Sequence, residues 1–363
     1  ARNLVQNCIN CGACKTVCAA GIDLPELIKK VHAEILDKEG HPLKSALLSR
    51  VLRNRKLFHS LLKSVRLVQG PIKDDQGFLR HLPHILAGRH EFRQVPAIAD
   101  VPFRDRWEAV RPKVDRPKVK IALFSGCVQD FVYPEQLEAA LALFERENVG
   151  VAFPMDQSCC GLPVRMMGES RAAEQVAAQN VLALGSDSVD YVVTLCASCA
   201  SHMKKSYPEL LRKRASLARK AVNLARKILP LSSFCNDVLK MDASAFSPGG
   251  PKTTYHAPCH LCRGLDVRQA PHSLFQNAGL DFVKAEEEET CCGFGGTYST
   301  KFPAISAEIL NRKLEDVKAT RAGRLVTECP GCILQLRGGA AGKGMDLEVM
   351  HLAEVLKDRL KKN

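Results

Sequence analysis

Two stretches of the chain carry cysteine in the same arrangement. Cys127 is followed by Cys159-Cys160-Gly161 and then by Cys196-Ala-Ser-Cys199, while Cys259 is followed by Cys291-Cys292-Gly293 and then by Cys329-Pro-Gly-Cys332. In both, 31 residues separate the first cysteine from the pair, and 35 or 36 separate the pair from the closing motif. Thiolates are soft donors, and sites made only of them take iron-sulfur clusters, zinc or Cu(I). Four suffice for a zinc tetrahedron or a cube, so five per repeat point to a larger or irregular cluster. Adjacent cysteines direct their sulfurs differently and can hold two irons, and Gly161 and Gly293 let the backbone come close. Gly293-Phe-Gly-Gly296 could offer backbone donors to cluster sulfurs, which is one way of tuning potential.

A third group opens the chain. Cys8-Ile-Asn-Cys11-Gly-Ala-Cys14-Lys-Thr-Val-Cys18 has the spacing of the bacterial ferredoxin run, with Ala19 where proline is usual. That spacing assigns Cys8, Cys11 and Cys14 to one 4Fe-4S cubane and Cys18 to a second. The companion run is expected upstream of Ala1 or on a tightly bound partner, in keeping with a processed start or a longer polypeptide. A zinc knuckle normally uses two separated pairs and fits this run less well. Cys235 and Cys262 stand alone and read as buried thiols, although Cys262 could substitute for its neighbour Cys259.

With 363 residues, 46% of them apolar, the chain can bury a core without disulfide staples. Its 16 cysteines, grouped as ligands, are therefore expected to be held reduced, which implies the cytoplasm. No apolar run reaches the length that spans a bilayer, and Ala1 to Asn7 have none of the marks of a secretory signal. Of the net charge of +13, most lies in residues 41–120, where 18 Lys and Arg face 7 Asp and Glu. With one Trp and no nucleic-acid module, this surplus suits an acidic protein partner or a peripheral contact with the cytoplasmic face of the inner membrane, not nucleic acid.

The elements that must hold the cysteines follow from periodicity. Helix is expected from residue 25 to 37. Leu43 to Val68 has amphipathic spacing in one or two pieces, either a packing arm or a membrane-surface helix. Gly70 to Pro117 reads as an extended linker. Strands at 119–124, 150–153 and 191–195 alternate with helices at 134–147 and 170–184, and each strand end delivers a cysteine. Strands at 253–256, 281–284 and 325–327 with a helix at 305–319 repeat that order, and 345–350 and 352–360 close the chain with a strand and a helix. Residues 204–227 read as a solvated basic helix and 231–251 as a linker. The fold class expected is α/β: two pseudo-repeat cysteine-rich domains with parallel sheets, after a small ferredoxin-like segment and a helical linker. The corresponding boundaries are 1–40, 41–117, 118–235 and 236–363. Sites in such sheets lie at the carboxyl ends of the strands.

The doubled five-cysteine pattern resembles the cysteine-rich domain of heterodisulfide reductases, glycolate oxidase iron-sulfur subunits and lactate-utilisation iron-sulfur proteins. It is most similar to the last, on Tyr133-Pro-Glu135, on Cys291-Cys-Gly-Phe-Gly-Gly-Thr-Tyr-Ser-Thr-Lys-Phe-Pro303, on Lys313 to Thr320 and on His351-Leu-Ala-Glu-Val355. Residues 1–117 resemble the C-terminal part of that system's ferredoxin-containing subunit. The resemblance implies a non-cubane 4Fe-4S cluster on Cys127, Cys159, Cys160, Cys196 and Cys199, and another on Cys259, Cys291, Cys292, Cys329 and Cys332. It also implies an iron-sulfur subunit of a 2-hydroxy acid dehydrogenase, with L-lactate ahead of glycolate, passing electrons toward quinone or another carrier. Further iron-sulfur subunits, and a flavin subunit where the oxidation uses flavin, would be partners. The chain itself has no GxGxxG after a strand and so no NAD or flavin site. His256 and His260 are the candidate proton shuttles. Two alternatives stand: reduction of a heterodisulfide or thiol-disulfide, and a zinc-stabilised scaffold.

Overall fold

The computed structural model describes residues 5–75, 77–79 and 92–361. Parts of the expected start (1–4) and of the expected linker (76 and 80–91) lie outside that description. Strands are numbered along the chain. β1 (Phe78–Leu79) and β2 (Val95–Pro96) form a small antiparallel pair. β3 (Val119–Phe124), β4 (Val149–Ala152), β5 (Tyr191–Thr194) and β6 (Ile228–Pro230) form a parallel sheet of order β4-β3-β5-β6. β7 (Thr253–Tyr255), β8 (Arg324–Thr327) and β9 (Glu348–His351) form a second parallel sheet of order β7-β8-β9.

β3 is central because its last four residues, Ile121 to Phe124, are all apolar and buried, as a strand covered on both faces requires. Ile121 lies in register with Val151 on one side and Tyr191 on the other. The covering helices are amphipathic. Helix Pro134–Arg146 starts with proline in its first turn and buries Leu137, Ala140, Leu141 and Phe144. Helix Ser170–Leu184 buries Ala173, Val176, Ala177, Val181 and Leu184. In the second unit, Pro303–Ala319 plays the same part with Leu310, Leu314 and Val317. The two sheets share a core: the closing helix Leu352–Arg359 packs on Pro134–Arg146, and Val193, Leu231, Tyr255 and Val326 belong to one continuous apolar cluster.

Several expectations need correction. The segment 281–284 is not a strand; it keeps a single bridge, Thr253 to Phe282, because Phe282 turns inward and packs at 5.2 Å on Phe275 and 5.3 Å on His272. The basic region 204–227 is not freely solvated: helices Ala197–Leu210 and Ala215–Lys227 bury Met203, Tyr207, Leu217 and Leu224 and turn their lysines and arginines outward. The residues from Leu231 follow a fourth strand and bury Phe234, Cys235, Met241 and Phe246, so they are core and not linker. Within the expected extended stretch, Phe103–Val110 is a helix anchored by Phe103, Trp107 and a buried Arg104–Asp130 ion pair of 2.6 Å.

The basic segment is two helices, Leu43–Arg53 and Arg55–Gln69, separated at Asn54, whose side chain accepts from the Leu57 N–H and caps the second. They lie on the first repeat through buried Ser45, Ser49 and Leu52 and an ion pair of Arg55 with Asp156 (2.6 Å), and Lys63 ties the second to helix Phe103–Val110 through Asp105 (2.7 Å). Among the described residues no helix is long and apolar enough to cross a membrane.

Candidate metal centre

Cysteine sits at helix starts throughout. Cys196 caps helix Ala197–Leu210, its sulfur accepting from the Cys199 N–H at 3.4 Å, and Cys329 occupies the same position before helix Pro330–Gly342. The partial positive charge of a helix N-terminus favours thiolate over thiol there. The cysteine pairs are shaped by the glycine that follows. Gly161 and Gly293 both have φ of 87°, and each N–H points back to a sulfur, at 3.5 Å from Cys159 and Cys291 respectively. A β-carbon would meet Val176 at 3.1 Å in the first case and the Ser306 carbonyl oxygen at 2.8 Å in the second, so neither position accepts a side chain.

Each repeat gathers its five thiols. Cys127 and Cys159 are 4.0 Å apart, and Cys160 touches both Cys159 and Cys199, which in turn touches Cys196. In the second repeat Cys259 meets Cys291, Cys291 meets Cys292, and Cys292 lies 3.4 Å from Cys332, which meets Cys329. The two sets join: Cys196 of the first repeat contacts Cys329 of the second. Ten thiols thus form one unbroken row, and all are free. At the other end, Cys11 is close enough to Cys291 and Cys259 for their charges to act on one another. Cys11 and Cys14 also act on Cys8, which groups the first three cysteines of the N-terminal run. Cys235 and Cys262 are placed otherwise: Cys235 is buried in the apolar core, and the Cys262 sulfur faces the carbonyl oxygens of Ala257 and Cys259.

The donor set fits a polynuclear metal group. Cys127 is held well above the ordinary thiol range by its contact with Cys159 and by burial, and Cys332 by Cys292, Cys329 and burial. Cys160 and Cys291 are pulled well below it, because neighbouring thiols donate to them. So many touching, buried sulfurs cannot be thiolates together unless cationic charge is placed among them. His256 adds a second sign. It is buried with both ring nitrogens unpartnered, and one lies within 4.8 Å of the Cys292 and Cys332 sulfurs.

The two candidate histidines part company. His256 is enclosed beside the second set of cysteines, where burial lowers its pKa to about 3. His260 links two regions instead. Asn10 Nδ2 donates to His260 Nε2 at 3.0 Å, His260 Nδ1 meets Ser198 Oγ at 3.0 Å, and Ser198 Oγ lies 3.4 Å from Cys329 Sγ. This chain runs from the N-terminal segment through the second repeat and the first to the sulfur where the repeats join. Sequence reasoning overlooked Ser198, which lies inside a recognised Cys-x2-Cys but carries no signal of its own. It also overlooked Arg93, a buried guanidinium bonded to Gln335 and, at 3.1 Å, to Ser299, with Phe92 and Phe294 under its plane. Its charge acts on Cys292, and no pattern around it in the sequence marks it.

Comparison with known proteins places these features. The family model described as a cysteine-rich domain, CCG, matches twice, at residues 121–204 and 253–337. A lactate utilization protein A of Geobacillus sp. (strain WCH70) is 36% identical over 242 residues, covering 66% of this chain and 100% of the relative. A probable glycolate oxidase iron-sulfur subunit of Bacillus subtilis (strain 168) is 28% identical over 373 residues, covering 96% of this chain and 81% of the relative. The crystal structure of a hypothetical protein from Helicobacter pylori aligns with a TM-score of 0.50 at 12% identity, over 85% of this chain. This chain spans 59% of the length of that structure, and the likeness speaks for the fold alone.

Proposed function

The chain belongs to the family of lactate-utilisation and glycolate oxidase iron-sulfur proteins that carry the cysteine-rich CCG domain twice, and from that we propose that it is the iron-sulfur subunit of a 2-hydroxy acid dehydrogenase, with L-lactate as the acid oxidised. The observation that carries this reading is the unbroken row of ten thiols from Cys259 in the second repeat to Cys127 in the first, with Cys11 near enough to its second-repeat end for their charges to interact. Cys8, Cys11 and Cys14 would hold a cubane, and the five cysteines of each repeat one non-cubane 4Fe-4S cluster. Bound there, such clusters supply storage and transfer of single electrons. The protein's own residues do the rest. Helix N-termini at Cys196 and Cys329 stabilise negative charge on the sulfurs. The apolar walls around Cys160, Cys199, Cys292 and Cys332 exclude water. The His260–Ser198 chain can hold a proton next to Cys329 Sγ. Other subunits would bring the electron acceptor and, where one is used, a flavin.

The test is iron and acid-labile sulfide on anaerobically purified protein, followed by EPR during addition of L-lactate or glycolate to the assembled complex. About four irons per occupied site, with matching sulfide, and reduction by L-lactate ahead of glycolate are expected. Zinc without sulfide, or reduction by a disulfide's thiols with indifference to both acids, would overturn the reading.

A further inference from the structure

A cavity of about 170 Å³ opens where three parts of the chain meet: the N-terminal run at Asn10 to Lys15, the start of helix Leu24–Glu39, and the facing segments of the two repeats at Ser201–Glu209 and Cys259–Gly264. It is smaller than the sites of roughly 300 Å³ and above that take drug-sized or nucleotide ligands, so its occupant is small. One wall carries Cys259 and His260, the latter being the entry to the hydrogen-bonded chain toward Cys329.

Charge on the walls is unevenly spent. Asp23 is paired with Lys15 at 2.5 Å, Glu26 with Lys29 at 2.9 Å, and Glu209 with Lys30 at 2.7 Å, the last cation standing outside the cavity. Among the described residues neither Lys205 nor Arg263 has a carboxylate within ion-pair distance, so the cavity lining keeps two cations outside its ion pairs, one from each repeat. His202 is 4% exposed, lines the same space, and has no hydrogen-bond partner on either ring nitrogen. A buried imidazole left so is costly unless something fills the gap, and in its neutral form it offers one donor and one acceptor.

The geometry points to a small-anion site in this cavity, one that takes the carboxylate of a three- or two-carbon 2-hydroxy acid between Arg263 and Lys205 and the acid's hydroxyl on His202. Arg263 presents a planar fork that matches a carboxylate, Lys205 a point charge at the rim. The acid would then lie beside Cys259 and the His260 chain, between the N-terminal cysteines and the second repeat. This assignment rests on the functional reading above and adds to it the place of binding.

The experiment uses the full chain, anaerobically purified with its iron, and isothermal titration with L-lactate, glycolate and inorganic phosphate, followed by EPR of the reduced protein with each. Wild-type protein is expected to bind L-lactate and glycolate at least tenfold more tightly than phosphate and to change its EPR line on binding. Arg263→Gln should weaken L-lactate tenfold or more, and Lys205→Gln, at an exposed position that endangers no core, about threefold. His202→Gln should weaken the hydroxy acids more than their 2-deoxy analogue propionate. Unchanged L-lactate affinity in both Arg263→Gln and Lys205→Gln, at unchanged iron content, would overturn the site. Phosphate binding as tightly as L-lactate would overturn its specificity for hydroxy acids. The two readings fail separately: if lactate still reduces the complex while these variants bind and turn over as wild type, only the site falls. If the wild-type complex is not reduced by either acid, the functional reading itself falls.

Discussion

Three residues ahead of its first cysteine the first repeat has Phe124, and the second has His256. Sixteen residues ahead of the closing motif the first has Asn180, and the second has Lys313. Asn180 is neutral and structural: it accepts from the Ser158 N–H at 3.0 Å and donates to the Cys159 carbonyl at 2.8 Å, fixing the backbone of the cysteine pair. Lys313 is equally buried, bonds to the Glu287 carbonyl and lies 3.3 Å from Asp316, and its charge acts on Cys292. Arg93 adds a second buried cation on that side. The same architecture therefore surrounds one set of sulfurs with aromatic and amide groups and the other with imidazole and positive charge. Cations near a cluster favour its reduced form, so the second repeat is expected to hold the electron at the higher potential.

The comparison breaks first if the repeats are not separate sites. Cys160→Ser should remove about four irons and leave the signal of the second repeat, and Cys292→Ser should do the converse, by metal analysis and EPR. Loss of both signals from either variant would mean that the Cys196–Cys329 contact makes them one unit.

A second difference concerns how each repeat leaves its last strand. The first does so with Pro230, and the second with His351, which donates from Nε2 to the Leu195 carbonyl at 2.7 Å and accepts from the Ala353 N–H at 3.1 Å. Burial lowers its pKa to about 4, whereas the unfolded chain takes up this proton near pH 6.5. Below pH 6.5 the unfolded state thus binds more protons, and stability falls as pH drops toward 4, by on the order of 3 kcal/mol in full. His351→Asn should flatten that part of the stability–pH curve in chemical denaturation; an unaltered slope would remove His351 as its source.

The two glycines separate the repeats further. Gly161→Ala and Gly293→Ala each force a side chain into a left-handed conformation, at about 1–3 kcal/mol. The larger loss is expected at Gly293, where the new methyl meets a backbone oxygen at 2.8 Å and not a movable valine. Thermal unfolding with iron content checks the order.

The smallest effect sharpens the electrostatic contrast. Arg93→Met should lower the midpoint potential of the second-repeat centre by about 60 mV, a tenfold change for one electron, and leave the first in place. Arg93→Lys should restore part of it. Equal shifts in both centres in an EPR-monitored titration would show that the cation is not local to the second repeat.

Much of this was legible before any fold was known. Strand β3 and helix Ser170–Leu184 run as expected, because the apolar run Ile121 to Phe124 and a 3.6-residue period are local signals. The segment 281–284 and the core from Leu231 were misread: Phe282 packs on Phe275 and His272 of the preceding helix instead of extending the sheet, and burial of Phe234 is decided by Phe144, 90 residues away. The division of labour is clear in the cysteines. Their type and spacing, doubled, point by themselves to soft metal chemistry and to a sulfur at the ends of the strands. That Cys196 touches Cys329, that Cys11 stands by Cys291, that Ser198 of one repeat joins His260 to a sulfur of the other, and that Arg93 lies buried beside Cys292 are matters of tertiary structure alone. Contacts between residues 60 to 280 positions apart depend on how the two sheets share a core, and no local period in the chain encodes that packing.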